Sequence, residues 1–478
     1  MFLGIDLGTS GVKAVALSAD GEVLAQGTAP LPVSRPHPLW SEQEPEDWWR
    51  AAGQAVLALP RDIRAAISGI GLAGQMHGAT VLGADDKPLR AAILWNDGRS
   101  FAECEELEAA VPQAREISGN LAMPGFTAPK LLWLRRHEPA LFDRIRTVLL
   151  PKDYLRLRMT GEKASDMADS AGTLWLDVGA RDWSDAMLHA CGLSRSNMPA
   201  LHEGCEQAGT LRPEIAARWG MACVPVVAGG SDNAAGAAGV GVVKEGDALL
   251  SLGTSGVIFV ATGTFRPNPA RAVHAFCHCL PGMWHQMSVH LSAASCIDWG
   301  VRATGADGPA RFFALAEQAG IGAGAELFLP YLSGERTPHN DPHVRGALLG
   351  LDHDTDPARI AAAVLEGVAF AHADGLDALR QAGTQVEELS VIGGGARSRH
   401  WGRILAAALN VRLVYLDGGE VGPALGAARL ARMGVSGAGV DDACARPPVS
   451  HAIEPEPLLI ERLEPRLARF RAAYAAVR

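Results

Sequence analysis

Asp6, Gly8-Thr9-Ser10-Gly11 and Lys13 bring a carboxylate, backbone N–H groups, two hydroxyls and a cation into one short stretch. Such a nest suits phosphate oxygens, and an Asp at the strand end just before it can hold a hydrated Mg²⁺. A plain β-hairpin turn would select Gly and Ser there as well. A second copy favours the phosphate reading. Asp6 to Gly11 reads DLGTSG, and Ser251 to Gly256 reads SLGTSG, 245 positions later. Gly253, Thr254 and Ser255 would then clamp one polyphosphate together with Gly8, Thr9 and Ser10. No Walker A pattern is present, so this is not a P-loop arrangement.

Between the two turns, Gly229-Gly230-Ser231-Asp232-Asn233 sets a carboxylate after a buried strand and at a helix start. Asp232 can be an N-cap or a general base that takes a proton from a hydroxyl attacking a phosphoryl group, and the residue types leave both open. Gln75-Met76-His77, at another strand end, offers an amide, a thioether and an imidazole to a polyol; a buried histidine serving the core is the plainer alternative. Gly393-Gly394-Gly395 follows the strand LSVI and either lets a flat ring approach the backbone or simply permits a sharp turn. Gly69 to Gly74 matches GxGxxG, but a strand-like run follows where a dinucleotide site needs a helix. His274, Cys277, His278, Cys279, His285 and His290 fit no zinc finger or ribbon spacing.

The elements that must position these groups follow from hydrophobic pattern and turn residues. Strands are expected at Phe2 to Leu7, Lys13 to Leu17 and Val23 to Gln26, a helix over Glu44 to Leu59, and buried strands over Ala65 to Leu72 and Ala79 to Leu82. Residues 100 to 220 read as mostly helical. Val224 to Ala228 is a short strand, and the small-residue run after Asp232 suits a helix packed closely on a sheet. Two strands flank the second glycine turn, and helices are expected over Ser292 to Thr304, Pro357 to Ala382 and Pro423 to Met433. The repeat predicts an α/β fold of two similar domains facing one cleft, 1–243 and 244–478, with the boundary near Val242 to Gly246.

Composition excludes several classes. The chain has 478 residues, 48% hydrophobic and 20% charged, so it can bury large cores. With 43 basic against 53 acidic side chains its formal charge is −10, which argues against nucleic acid or an anionic membrane as the main partner. The first residues lack a basic n-region, and eight cysteines without a regular framework suggest free thiols; a soluble cytoplasmic protein is the expectation.

With these pieces in place, the chain resembles, essentially end to end, the FGGY carbohydrate kinases, whose duplicated ribonuclease-H-like domains belong to the actin-like ATPase superfamily. The resemblance includes Met123 to Trp133 (MPGFTAPKLLW) and Gly422 to Ala427 (GPALGA). On the sugar side, SRPHPLWSEQ, GQMHGAT, ILWNDGR, LLPKDYLRLRMTGE and PYLSGERTPHN are most similar to members that act on D-xylulose. The resemblance implies transfer of a phosphoryl group from ATP to the sugar's C5 hydroxyl, in D-xylose catabolism, and suggests a homodimer. It implies Asp6 near Mg²⁺ and the phosphates, Met76 and His77 on the sugar, and Asp232 as base. Thr254 with Gly253 would hold ATP phosphates, and Gly394 with Gly395 would back the adenosine. Trp95, Asn96, Asp97 and Arg99 would line the sugar side.

Overall fold

A computed structural model describes residues 1–417 and 422–478 of the chain. Phe2–Leu7 (β1), Gly11–Leu17 (β2) and Val23–Pro30 (β3) form an antiparallel meander, the first nearly all buried and the third exposing one face. Gly69–Gly74 (β4) is buried at every position and runs parallel to β1, as a strand covered on both faces should be. Numbering only the strands of the two large sheets, Gln207–Thr210 (β5), Pro225–Val227 (β6) and Gly230–Ser231 (β7) complete the first. Its order is β5-β6-β4-β1-β2-β3, with β7 also pairing with β4.

The second sheet repeats this plan. Ala248–Leu252 (β8) and Gly256–Thr262 (β9) form the hairpin around the second glycine turn, followed by His274–Cys277 (β10) and Trp284–His290 (β11). Glu388–Ile392 (β12), Arg412–Leu416 (β13) and Val449–Ile453 (β14) complete the order β10-β11-β9-β8-β12-β13-β14. In each sheet a hairpin carries the glycine turn, and its first strand has a parallel neighbour, β4 for β1 and β12 for β8. The six-residue match therefore reflects matching topology.

Helices cover the sheets. The apolar face of Pro45–Leu57 (α1) packs on β2 and β3. Asp232–Gly239 (α2) starts right after β7, and Ala294–Thr304 (α3) starts beside the second glycine turn. Pro357–Gln381 (α4) is almost wholly buried and carries the second core with Arg399–Leu409 (α5). Gly422–Ser436 (α6) follows β8 to β13 in sequence yet packs on β1, β4 and α2. A Cβ at Gly71 would lie 1.9 Å from the Ala427 carbonyl oxygen, so the GxGxxG stretch exists to admit this helix.

Two expectations need adjustment. The stretch from 100 to 220 also carries strands such as Thr147–Leu149 and Ala164–Asp166, too short for alternation to reveal. The strand expected from Ala65 begins only at Gly69, because Arg61–Ala65 form a helical turn.

Candidate active site

Register places the chemistry. Leu7 and Ser231 each pair with Gly74, so Asp6, Asp232 and Gln75-Met76-His77 emerge at one edge of the first sheet. This is the carboxyl edge of three parallel strands, where open α/β sheets bind ligands. In the second sheet Ser251 pairs with Ile392, which brings the Gly253–Ser255 turn beside Gly393–Gly395.

Asp232 is the first residue of α2, but the cap is its neighbour: Ser231 Oγ accepts from the Ala234 N–H. Among the described residues the Asp232 carboxylate accepts from Asn233, at 2.8 Å from the backbone N–H and 3.0 Å from Nδ2. Burial pushes its pKa up to about 6, against those two hydrogen bonds. Of the two readings left open by the residue types, the side-chain cap falls to Ser231, not to Asp232.

Asp6 has its pKa pushed up to about 7, first by burial and then by the charge of Asp232, with Lys13 acting in the opposite sense. Its Oδ1 is buried without a hydrogen-bond partner among the described residues. An orphaned, buried carboxylate oxygen beside a second carboxylate is a fitting place for a divalent cation, and Asp6 fits the Mg²⁺ that phosphoryl transfer calls for.

The first glycine turn is tied down. Gly8 N–H donates to Gly11 at 3.0 Å, and Gln43 Nε2 donates to the Thr9 carbonyl at 2.7 Å. The Thr9 hydroxyl donates to Gln75 and accepts from Trp95 Nε1, at 3.1 and 2.9 Å. Its hydroxyl is therefore committed within the protein, and Ser10, exposed, keeps the free one. In the second turn, the carbonyls of Gly253 and Thr254 accept from the start of α3, at 2.8 Å from Ala294 and 3.0 Å from Ala293. Thr254 and Ser255 are left exposed. Gly395 lies against Trp401 and Leu252, where no side chain fits, while among the described residues a Cβ at Gly394 would meet nothing within 4 Å. That open backbone is a flat surface for a ring.

His77 sits in the left-handed region at φ 69°, a conformation that costs a non-glycine residue about 1–2 kcal/mol. Its carbonyl accepts from Lys130 Nζ at 2.8 Å and from Thr127 Oγ1 at 3.1 Å, which hold the strained turn. Nδ1 lies 2.6 Å from the Gly172 carbonyl and must donate to it, leaving Nε2 as an acceptor. Burial lowers its pKa to about 3, so the ring is neutral. Met76 is buried in the core at the same strand end, close to Gly172.

Trp95 is 44% exposed and, with Asn96 and Gly125, lines a cavity of 460 Å³ that Arg336 and Asn340 line from the second half. The expectation for Asp97 and Arg99 needs correction. The Arg99 guanidinium, 3.6 Å from the Trp40 ring centre, pairs with Asp97 and Glu42, while Asp97 also accepts from the Ser41 N–H. Both side chains are sealed beneath the cavity, and Asp97 reaches its lining only at the base.

Sequence reasoning missed two clusters. Lys152 lies among Asp153, Asp166 and Asp169, all fully buried behind the site, with Arg156 closing the group. These are the only three metal-capable side chains found together among the described residues, and the Lys152 ammonium occupies their centre. The other cluster is Arg336 with His274 and Asn120, of which the SGERTPHN string carries only Arg336.

Two sheets with matching glycine turns, and a buried carboxylate pair on one side, define a two-domain phosphotransferase. Residues 1–239 match the N-terminal domain, and residues 248–435 the C-terminal domain, of the FGGY family of carbohydrate kinases; the chain belongs to this family. It is 59% identical to the xylulose kinase of Escherichia coli over 438 residues, covering 91% of this chain and 90% of that protein. To the xylulose kinase of Klebsiella pneumoniae it is 57% identical over 436 residues, 91% of this chain and 90% of the other. The crystal structure of a xyloylose kinase from Brucella ovis superimposes with a TM-score of 0.95 at 51% identity, covering 99% of both chains.

Proposed function

We propose that this carbohydrate kinase transfers the γ-phosphoryl group of ATP to the C5 hydroxyl of D-xylulose, giving D-xylulose 5-phosphate and ADP. The observation that carries the reading is the Asp232 carboxylate, released from capping by Ser231 and set at the same sheet edge as Asp6 and His77. The relatives named above supply the sugar.

Asp232 accepts the proton of the C5 hydroxyl as that oxygen attacks. Asn233 holds the carboxylate in place, and its raised pKa keeps it basic enough to take the proton near neutrality. His77 Nε2 accepts from a sugar hydroxyl, and Met76, Trp95 and Asn96 shape the pocket. The N–H groups of Thr9 and Ser10, on the turn that Gly8 closes, face the phosphates with Lys13 from one half. Gly253, Thr254 and Ser255 face them from the other, and Gly394 and Gly395 back the adenosine. Asp6 would hold Mg²⁺, which supplies charge neutralisation on the transferred group. Closing the halves on each other excludes water and brings sugar and nucleotide into line.

We assign sugar binding and the base to residues 1–243 and nucleotide binding to 244–478, with α6 returning to brace the first sheet. All eight cysteines are free, which suits the reducing cytoplasm we assign it to, and among the described residues no helix is long and apolar enough to cross a membrane.

The test is ADP release from Mg·ATP with D-xylulose, L-ribulose, D-ribulose, glycerol, gluconate and no sugar. A marked preference for D-xylulose is expected. Preference for another polyol would overturn the sugar assignment, and sugar-independent turnover would overturn the kinase mechanism itself.

A further inference from the structure

Arg336 is a charged group in the cleft that the mechanism above does not use. It comes from the second half and lines the 460 Å³ cavity together with Trp95, Asn96 and Gly125. Its Nη1 lies 3.3 Å from His274 Nε2, and His274 Nδ1 lies 2.9 Å from Asn120 Oδ1. The Asn120 amide nitrogen donates to the carbonyls of Ser118 and Ala275 at 2.8 and 2.9 Å, so its oxygen is the atom that faces His274. His274 therefore carries its proton on Nδ1 and offers a lone pair at Nε2, to which Arg336 donates. This relay fixes the guanidinium and consumes one of its N–H groups.

Among the described residues no carboxylate pairs with the guanidinium. The adjacent Glu335 is taken up by the backbone N–H groups of Leu291 and Arg336 and by His290. An oriented guanidinium with donors to spare, facing a cavity, is built to meet an oxygen acceptor. Its charge bears on His77 and His274, whereas Asp6 responds to Asp232 and Lys13. His77 and His274 both pack against Phe126 and Phe276, which sets Arg336 on the His77 side of the site, and we place it at the end of the sugar away from Asp232.

With C5 of the sugar at Asp232, that far end holds the C1 hydroxyl and the C2 carbonyl. The chemistry of the ketose makes C2 decisive. Ring closure adds the C5 oxygen to C2, so the C5 hydroxyl is free to attack phosphorus only while C2 remains an open-chain carbonyl. We propose that Arg336, positioned by His274 and Asn120, donates to the C2 carbonyl oxygen of D-xylulose and so selects the open-chain ketose. This assignment rests on the xylulose reading above.

The experiment compares kcat/KM for D-xylulose with the inhibition constant of 2-deoxy-D-threo-pentitol, which keeps C3 to C5 but has no oxygen at C2. Arg336→Met should lower kcat/KM for D-xylulose by about 10–100-fold while changing the inhibition constant less than about threefold. His274→Phe keeps the stacking on Phe276 but removes the acceptor, and should move the same ratio in the same direction by a smaller factor. Arg336→Lys, with charge but no fork, should fall between wild type and Arg336→Met. Equal losses for both compounds, or an unchanged kcat/KM for D-xylulose, overturn the role of Arg336 alone. A wild-type protein that does not turn over D-xylulose overturns the functional reading and this proposal with it.

Discussion

Replacing Asp6 by Asn should make the nucleotide-free protein more stable at alkaline pH while crippling its use of Mg·ATP. In the folded chain the Asp6 pKa rises from 3.8 to about 7, chiefly through burial and then through the charge of Asp232. A rise of that size corresponds to about 4 kcal/mol between the two protonation states. The sign follows from proton uptake. Between about pH 4 and 7 the native state binds more protons at Asp6 than the unfolded chain does, so stability falls as pH rises through that window. The contribution of the protonated carboxyl is complete below about pH 4 and gone above about pH 7. Asn keeps the shape and never ionises, so its advantage over wild type should widen between pH 5 and pH 8, by about 2–3 kcal/mol. For a folding unit of about 240 residues that is a gap in Tm growing by about 4–12 °C. The assay is thermal unfolding in the absence of divalent cations and nucleotide, at half-unit steps of pH. A gap that stays constant from pH 5 to pH 8, or a variant that melts below wild type at pH 8, would refute the reasoning that Asp6 carries an uncompensated charge.

Asp232→Ala should leave sugar binding within a few fold, measured by calorimetry, and lower kcat by about 10²–10⁴-fold. In wild type the base must be ionised, so kcat/KM should fall about tenfold per pH unit below about pH 6, and this acid limb should vanish from the residual activity of the variant. Lys152→Met would leave buried Asp166 and Asp169 without their cation, and denaturant unfolding should show a loss of about 3–5 kcal/mol, recovered in part by pairing it with Asp169→Asn. Gly71→Ala would press a methyl group into the backbone of α6, with a loss of about 1–3 kcal/mol or more by the same measurement.

The features legible in the sequence are those set by a few adjacent residues. The DLGTSG and SLGTSG turns, the strands around them and the helix after Ser231 need only local backbone conformation, and their register then carries Asp6 and Asp232 to one edge. Side-chain direction was less accessible. ILWNDGR lies beside the cleft, yet Arg99 and Asp97 turn inward because Trp40 and Glu42, more than fifty positions earlier, offer a ring and a charge. The relay from Asn120 through His274 to Arg336 joins three distant segments, and no spacing rule reaches across them. The destination of α6 was equally hidden: its small, apolar residues announce a closely packed helix without saying which sheet receives it.

That destination has a consequence for the order in which the protein can be made. Ala424 and Ala427 present carbonyls to Gly4 and Gly71, and Gly426 lies against Ala235, so one face of the first sheet is closed by residues near the far end of the chain. A ribosome will have finished both strands of the first glycine turn, the whole histidine-rich segment and most of the second core before that lid emerges. Until then the earliest-synthesised sheet waits with a bare apolar face, in the keeping of whatever shelters nascent chains. A stop codon after Arg336 but before α6 would leave a protein with a complete set of sugar-side residues and no means of closing the sheet that displays them.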